Sequence, residues 1–374
     1  ARIFSANNVV DTEHDAIKGA PTLKEVSIED LLPRDEIRVD LESVAESLRG
    51  KRVLITGSAG SIGSEIVRQV ASFAPSKMML IDSAETPQHD IRRMMAHDFP
   101  SVPCATVVTS ITKADRMENI FKTFLPEYVF HAAAYKHVPM MEDNPCESIQ
   151  NNVLGTKILA DLSVKYGVRR FVMVSTDKAV NPTNVMGCSK RICEVYVQSL
   201  NKAERDGVVK GQTQFITTRF GNVLGSNGSV IPIFERQIKA GGPVTVTDPN
   251  IIRYFMLIPE ACELVLEAGT KGEGGEIFVF DMGKPVRIAD LARRMIELSG
   301  AKGVEIKYTG LRDGEKLYEE VLSESEATKP SFHEKIRIAC VREYDWSDVS
   351  REIDALIAQS HTYDDMAVVA SMKR

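Results

Sequence analysis

The sequence predicts an α/β fold, with a doubly wound parallel sheet followed by a smaller C-terminal α+β domain. Apolar runs alternate with helical stretches between residues 51 and 219, as is typical of βαβ units. Glycine and proline become denser after residue 219, where we expect shorter strands and helices. The predicted strands lie at residues 53–55, 78–81, 105–108, 128–130, 171–174 and 215–217.

The composition is that of a soluble globular protein, because 43% of the 374 residues are hydrophobic and 26% are charged. This length allows two domains with sizeable cores. The formal net charge of −6 argues against nucleic acid as a partner, since nucleic-acid binding usually needs a basic face. The six cysteines form no Cys-x-x-Cys pair, so we expect a reducing compartment and neither a metal site nor a disulfide framework.

Residues 1–50 are predicted to form an N-terminal arm or linker that ends in a short helix. Val39, Leu41, Val44 and Leu48 have the spacing of an amphipathic helix that stops at Gly50. No stretch approaches the roughly 18 to 20 apolar residues of a membrane span, and no signal peptide is visible. The chain begins with Ala, so we expect either a processed product or a piece of a longer protein.

A glycine-rich turn with the spacing Gly-x-x-Gly-x-x-Gly follows the first predicted strand and opens a helix. Glycines let the backbone approach a pyrophosphate, which the helix N-terminus attracts. Asp82 closes the next strand, where a carboxylate can bond the adenosine ribose and would repel a 2′-phosphate. The pattern predicts a Rossmann-type domain at residues 51–220 that binds NAD rather than NADP. A turn used only for chain reversal, with Asp82 as a helix cap, is the alternative. The predicted contacts are Gly57, Ser58, Gly60, Ser61, Ile62, Gly63 and Asp82.

Three polar residues, Thr176, Asp177 and Lys178, come just after the apolar strand at residues 171–174. Ligands of parallel sheets bind outside the carboxyl ends of the strands, so these side chains are candidates for chemistry. Met186 and Lys190 follow on a predicted helix, and their four-residue spacing puts them on one face. The alternative interpretation is a helix cap beside a surface ion pair.

These residues resemble the extended short-chain dehydrogenase/reductases that act on nucleotide sugars. The resemblance rests on the glycine spacing, on His131-Ala132-Ala133-Ala134, on Asn152-Val153-x-Gly155-Thr156 and on the helix that carries Lys190. Within that group the chain is similar to bacterial UDP-N-acetylglucosamine 4,6-dehydratases of surface-polysaccharide and protein-glycan synthesis. The motifs that carry this similarity lie at residues 134–139, 175–187, 219–223 and 312–317, with Asp313 where the family more often has Pro.

Met186 departs from the wider superfamily, which has a catalytic Tyr at this position. This resembles a subgroup of large membrane-anchored dehydratases that carry Met there and retain the configuration at C5. The resemblance implies a lyase that forms UDP-2-acetamido-2,6-dideoxy-α-D-xylo-hexos-4-ulose. It also implies a homo-oligomer on the cytoplasmic side of the bacterial inner membrane, anchored only through N-terminal segments absent from this chain.

The resemblance also implies residue roles. Lys178 would be the base at C5, with its pKa depressed by a desolvated site and by Lys190 or NAD⁺. Asp177, in its protonated form, would be the acid that assists departure of the C6 hydroxyl. Met186 accepts no proton, so Thr176, relaying to Asp177 or to water, is the candidate base for the 4-hydroxyl. Lys190 would bond the nicotinamide ribose, and the cofactor would also contact Ala132 and Ala133.

The remaining substrate contacts are expected from residues 221–374, the predicted nucleotide-sugar domain, and from the loop near residue 136. Arginine forks suit diphosphates. For each residue taken alone, a surface ion pair or a turn is an equally good interpretation. The candidates are Arg253 and Arg312 for the diphosphate, Lys136 and Asn222 for sugar or phosphate, and Glu315 for the uridine ribose.

Three other functions are open on this sequence. A C5-inverting 4,6-dehydratase would share the Asp-Lys pair. A nucleotide-sugar 4-epimerase has no use for that pair and normally keeps the Tyr. A non-catalytic scaffold that responds to NAD would bind the cofactor but turn over nothing.

Overall fold

The computed structural model describes residues 3–6, 23–26, 37–320 and 327–373. Most of the predicted arm therefore lies outside the described residues, apart from strands β1 (Ile3–Ala6) and β2 (Leu23–Val26), which pair antiparallel. Helix α1 (Leu41–Leu48) forms where the apolar spacing predicted it, and the Asp40 carboxylate accepts a hydrogen bond from the Ser43 N–H at its start. Val44 and Leu48 are buried and anchor this helix to the core.

A nine-stranded sheet forms the centre of the described structure. All six predicted strands belong to it, as β3 to β8, and each pairs parallel with its neighbours. The strand order is β16-β17-β13-β8-β7-β6-β3-β4-β5, with β16 and β17 antiparallel at one edge. The predicted α/β fold with a doubly wound, mostly parallel sheet is confirmed. The bounds are β3 Arg52–Thr56, β4 Lys77–Asp82, β5 Cys104–Val108, β6 Tyr128–His131, β7 Arg170–Val174, β8 Gln214–Arg219, β9 Asn222–Val223, β10 Val244–Val246, β11 Ile252–Arg253, β12 Phe255–Met256, β13 Ile277–Phe280, β14 Val286–Arg287, β15 Ile306–Tyr308, β16 Ala327–Pro330 and β17 Ile336–Cys340.

Helices cover both faces of the sheet, because its strands are apolar on both sides. Phe130 and Val172 pack with one layer, which contains α2 and α10, while Val129 and Phe171 pack with the other, which contains α4, α7, α8 and α12. A π-helical segment at Ile149–Leu154 precedes α7. The helices are α2 Ser61–Ser72, α3 Glu85–Asp98, α4 Ala114–Phe124, α5 Val138–Glu142, α6 Pro145–Ser148, α7 Gly155–Lys165, α8 Val185–Arg205, α9 Val230–Lys239, α10 Ile258–Lys271, α11 Ile288–Ser299, α12 Trp346–Ser360 and α13 Asp365–Met372.

A smaller unit with its own core lies beside the sheet. It is built from α9, α11 and the short pairs β10–β15 and β11–β14, around Ile231, Phe234, Val244 and Leu291. The chain after residue 220 does not stay in this unit, however. Strand β13 pairs with β8, α10 covers one face of the sheet and α12 covers the other, since their apolar side chains complete the two large cores. The predicted division at residue 220 falls between β8 and β9, and strands β13, β16 and β17 of the same sheet lie beyond it. The division into domains stays a prediction.

None of the helices that the structure describes is long and apolar enough to cross a membrane. Within the described ranges, no group of His, Cys, Asp and Glu is arranged to hold a metal ion. All six cysteines are free thiols.

Candidate active site

A cavity of about 860 Å³ lies at the carboxyl ends of β3, β6 and β7. Its far wall comes from residues 220–229 at the start of the smaller unit. Parallel sheets place ligand sites at this end of their strands. The cavity gathers many of the predicted site residues, from both the cofactor and the substrate groups. Those that line it are Gly57, Gly60, Ser61, Ile62, Gly63, Ala132, Lys136, Thr176, Lys178, Met186, Lys190 and Asn222.

Two glycines of the turn, Gly57 and Gly63, have no room for a side chain. Gly57 has a φ of +66°, and a Cβ there would lie 2.6 Å from the backbone nitrogen of Ala133. A Cβ on Gly63 would lie 1.9 Å from the carbonyl oxygen of Gly57. Gly60 begins helix α2 without a side-chain cap, so the first N–H groups of the helix are free to bind an anion. This cradle fits the pyrophosphate of a dinucleotide.

Hydrogen bonds of Asp82 and Ser58 stabilise the glycine turn. The Asp82 carboxylate accepts hydrogen bonds from the N–H of Ala59 at 3.0 Å and of Ala84 at 2.9 Å. Its role toward a ribose stays a prediction. Ser58 is fully buried, and its hydroxyl donates to Gln88 Oε1 at 2.8 Å, so its side chain does not reach the cavity. Gln88 was missed in the sequence, although its spacing to Ile91 and Met95 puts it on the buried face of α3.

The predicted triad Thr176, Asp177 and Lys178 is brought together by a short turn after β7. Thr176 Oγ1 donates to Asp177 Oδ1 at 2.9 Å, and Lys178 Nζ donates to the same oxygen at 3.1 Å. Thr176 and Lys178 line the cavity, whereas Asp177 is only 1% exposed and lies behind them. Its Oδ2 has no hydrogen-bond partner among the described residues and lies close to Gly221, where a Cβ would come within 2.9 Å.

Lys178 has two further partners, and one of them was missed in the sequence. Its Nζ lies 3.4 Å from Asn222 Oδ1 and 3.6 Å from Glu319 Oε1. Burial alone would lower the pKa of Lys178, but attraction to Asp177 and Glu319 outweighs burial and the pKa is raised. The predicted depression of this pKa is therefore wrong. No local pattern distinguishes Glu319, which is buried, from its exposed neighbour Glu320.

Helix α8 carries Met186 and Lys190 into the cavity, on one face as their spacing predicted. Met186 is 3% exposed and packs against Met141 and Val185. Lys190 is 4% exposed and forms no hydrogen bond or ion pair with any described residue, and burial lowers its pKa. A buried amine without a partner at the cavity wall suits a ligand that brings its own oxygens.

Two motif residues act as supports. His131 is fully buried, and its ring joins the hydroxyls of Thr56 at 2.8 Å and Thr156 at 2.9 Å. Burial, and after it the charge of Lys190, lowers the pKa of His131 to about 3, so the ring is neutral. Asn152 binds both the N–H and the carbonyl of Tyr135, at 2.8 and 3.0 Å, and thereby fixes the loop that carries residues 134–136.

A buried ion pair supports the end of β7. Arg219 and Glu194 are both fully buried and form two hydrogen bonds, of 2.9 and 2.7 Å. Glu194 also accepts a hydrogen bond from the Ser175 hydroxyl at 2.7 Å, next to Thr176. Glu194 was missed in the sequence. Its position on the buried face of α8 is the signal that could have identified it.

Arg253, Arg312 and Glu315 belong to a neighbouring network and are not among the described residues that line the cavity. Arg253 is 8% exposed and donates to the carbonyls of Ile252, Lys316 and Leu317 at 2.8, 2.8 and 3.3 Å. Its Nη2 lies 3.4 Å from Glu315 Oε1. Arg312 has an exposed side chain, and its N–H donates to Glu315 Oε2 at 3.1 Å. Their predicted substrate contacts stay predictions.

Comparison with known proteins gives the chain a family. Residues 53–341 match the family described as polysaccharide biosynthesis protein. The capsular polysaccharide biosynthesis protein CapD of Staphylococcus aureus is 46% identical over 358 residues, which cover 95% of this chain but only 59% of that protein. A UDP-glucose 4-epimerase of Rickettsia canadensis is 35% identical over 286 residues, covering 75% of this chain and 80% of that protein.

A solved structure, the X-ray structure of Pen from Bacillus thuringiensis, superposes with a TM-score of 0.73 at 31% identity. It covers 80% of this chain and 92% of that chain. The chain therefore belongs to the polysaccharide biosynthesis protein family and has the extended short-chain dehydrogenase/reductase fold.

Proposed function

We propose that the protein is an NAD-dependent 4,6-dehydratase. It converts UDP-N-acetylglucosamine to UDP-2-acetamido-2,6-dideoxy-α-D-xylo-hexos-4-ulose and retains the configuration at C5. The observation that carries the proposal is the cluster of Thr176, Asp177 and Lys178, joined through one carboxylate oxygen at the cavity wall. Such a cluster supplies an acid and a base for elimination across C5 and C6.

NAD fits the groups that the chain provides. The crowded glycine turn and the uncapped start of α2 suit its pyrophosphate, and Asp82 suits the adenosine ribose. Lys190, which is buried and has no hydrogen-bond or ion-pair partner among the described residues, suits the nicotinamide ribose. When bound, NAD supplies reversible hydride transfer, which takes a hydride from C4 of the sugar and returns it to C6.

Thr176 removes the proton of the 4-hydroxyl in this proposal. Its hydroxyl lines the cavity and already donates to Asp177, so it can take the sugar proton while it passes its own to the carboxylate. Met186 cannot serve, because a thioether accepts no proton at neutral pH. The step leaves Asp177 protonated and therefore ready to act as an acid.

Lys178 then acts at C5. A ketone at C4 acidifies the C5 hydrogen, and protonation of Asp177 removes one of the two anions that raise the pKa of Lys178. Lys178 first releases its ammonium proton to water in the cavity. The neutral amine then takes the C5 proton while Asp177 gives its proton, which came from O4, to the departing C6 hydroxyl. That hydroxyl leaves as water, and the Lys178 ammonium, whose protons exchange with solvent, returns a proton to C5.

Substrate contacts follow from what reaches the cavity. Lys136 and Asn222 line it, and we assign them to the sugar and the phosphates. The Arg253 guanidinium already donates hydrogen bonds to backbone carbonyls of this chain, so exposed Arg312 is the better candidate for the diphosphate. Glu315 is assigned to the uridine ribose. The proposal extends to a homo-oligomer that acts in surface glycan synthesis at the cytoplasmic face of the bacterial inner membrane.

A UDP-N-acetylglucosamine 4-epimerase is the second candidate, favoured by the relative that is named a UDP-glucose 4-epimerase. Epimerisation removes and returns a hydride at C4 only, so it needs no acid or base at C5 and C6 and gives Asp177 and Lys178 no chemical role. A C5-inverting dehydratase would use the same cluster and differs only in the face from which C5 is reprotonated.

The test is to incubate the protein with UDP-N-acetylglucosamine in D₂O, without added NAD, and to follow the sugar by proton NMR. We expect a 6-deoxy-4-keto sugar with deuterium at C5 and unchanged C5 configuration. An inverted C5 would identify the inverting dehydratase, and UDP-N-acetylgalactosamine would identify the epimerase. Unchanged substrate, even after NAD is supplied, would overturn the proposal.

A further inference from the structure

We propose that Glu319 is a positioning residue for Lys178, which orients the amine toward the cavity and stabilises its protonated form during turnover. The inference rests on the proposed dehydratase function and deepens it. Glu319 is supplied by the segment of residues 312–320, which begins in the smaller unit and reaches the end of β7.

The placement of Glu319 is that of a functional carboxylate rather than a surface one. It is 8% exposed, and its Oε1 lies 3.6 Å from Lys178 Nζ and 3.8 Å from Arg253 Nε. A buried carboxylate is stable only when it is paired, and here both partners are cations. Glu320 beside it is exposed and accepts a hydrogen bond from Asn181 instead.

The segment that carries Glu319 is joined to the active-site turn by hydrogen bonds of the Gly314 backbone and the Lys316 side chain. The Gly314 carbonyl accepts hydrogen bonds from Asn184 at 3.2 Å and from Thr183 at 3.3 Å, at the start of α8. Lys316 Nζ donates to the carbonyl of Val180 at 3.2 Å, just after the turn that carries Lys178. These contacts determine where Glu319 stands before any substrate arrives.

The charged groups that face Lys178 come from three elements. Asp177 comes from its own turn, Glu319 from the segment, and Arg253 from β11, while Asn222 adds a neutral amide oxygen. Arg253 opposes the two carboxylates, but the net effect raises the pKa of Lys178. Once Asp177 has taken the proton of the 4-hydroxyl, Glu319 is the remaining anion beside the amine. It then stabilises the ammonium that forms when Lys178 takes the C5 proton.

The direct test is the titration of Lys178 by pH-dependent competitive acetylation, read by mass spectrometry on the cofactor-containing protein without substrate. Glu319→Gln should lower the pKa of Lys178 by about 1 to 3 pH units, the effect expected of one opposite charge at this range. Glu315→Gln is the matched control, since it removes a charge from the same segment and the same arginine without facing Lys178. The control should leave the Lys178 titration where it is.

A second measurement is the pH profile of kcat. In Glu319→Gln the acid limb should move to lower pH and the plateau should fall roughly 10- to 100-fold, because the amine loses its orientation. KM should change less than kcat. Glu319→Asp keeps the charge on a shorter side chain and should restore part of both effects, and it also serves if Glu319→Gln does not fold.

An unchanged Lys178 titration in a Glu319→Gln protein with normal NAD content would overturn the inference. So would an equal shift in the Glu315→Gln control. The acetylation experiment needs no turnover. A wild-type protein that makes no 4-keto sugar would therefore refute the proposed function while leaving the role of Glu319 to be decided by titration.

Discussion

Thr176 Oγ1 and Lys178 Nζ both donate to Asp177 Oδ1, at 2.9 and 3.1 Å. A single carboxylate oxygen thus accepts from the hydroxyl that the proposed mechanism assigns to O4 and from the amine that it assigns to C5. A proton on this oxygen weakens the hydrogen bond and the charge attraction between Asp177 and Lys178, because the oxygen loses its negative charge. Oxidation at C4 and proton removal at C5 are coupled through this one atom in the proposed mechanism.

Thr176→Val should lower kcat about 10²- to 10⁴-fold, the usual contribution of a positioned acid–base group. Thr176→Ser keeps the hydroxyl and should stay within a few-fold of wild type. The measurement is formation of the 4-keto sugar, with bound NAD quantified in each variant to exclude cofactor loss. A Val variant that turns over like wild type would remove Thr176 from the mechanism.

Met186→Leu should leave kcat within about a factor of three. Met186 touches Met141 and Val185 and offers only apolar contact, and a Met-to-Leu swap in a core usually costs less than about 1.5 kcal/mol. Initial rates and thermal unfolding of both proteins check this. A hundredfold loss of activity at normal stability would show that the sulfur has a chemical role.

Lys190→Met should have opposite effects on the free and the NAD-bound protein. Burial lowers the pKa of Lys190, so the folded protein binds this proton less readily than the unfolded chain does. Below the ordinary lysine pKa the charge therefore opposes folding, and stability rises as pH rises through the window between the folded and the unfolded pKa. Thermal unfolding near neutral pH should show a free protein more stable by roughly 1 to 3 kcal/mol and a smaller stabilisation by NAD. A less stable free variant would contradict this account.

Gly57→Ala should abolish NAD binding. It should also lower the stability of the fold by more than a positive φ alone would. Gly167→Ala is the control, since Gly167 has a φ of +69° but open space around its Cβ position. The control should lose about 1 to 2 kcal/mol in chemical denaturation and keep its NAD. Gly57→Ala has the same φ penalty and also a contact of 2.6 Å with the Ala133 backbone. Equal losses in the two variants would show that crowding at the turn is unimportant.

Glu194→Gln should cost about 3 to 5 kcal/mol, because it removes the carboxylate charge that pairs with the buried Arg219 guanidinium. Burial alone would raise the pKa of Glu194, but the pair with Arg219 outweighs it and the pKa is lowered. The pair therefore stabilises the fold above the ordinary glutamate pKa, and this stability is lost as pH falls through the folded value. Urea denaturation at several pH values should show a wild-type advantage that shrinks in acid. An advantage that is constant with pH would point to packing instead.

Local signals explain what the sequence predicted well. The six strands, the glycine turn and the polar residues after β7 each depend on neighbours in the chain, so periodicity and motif spacing reveal them. Contacts between distant segments leave no such trace. Glu319 reaches Lys178 from a distant segment. Its charge adds to that of Asp177, and together they raise the Lys178 pKa that was predicted to be lowered.

The hydrogen bonds of Arg253 also join distant segments, and its predicted contact with the diphosphate stays a prediction. Its partners include the carbonyls of Lys316 and Leu317, and backbone acceptors in a distant segment cannot be inferred from residue types. The division at residue 220 rested on composition, which changes there, although strand pairing does not follow the change.

The insertion of β13 between β8 and β17 makes the order of synthesis important. During translation, β8 has no partner on one side until residue 280 has left the ribosome and β13 can pair with it. Until then the apolar edge at Phe215 and Ile216 is exposed to other chains, and exposed strand edges promote aggregation. In a fragment that ends near residue 220, this edge of β8 would stay unpaired. Expression of residues 51–220 alone should therefore yield inclusion bodies rather than a folded NAD-binding domain.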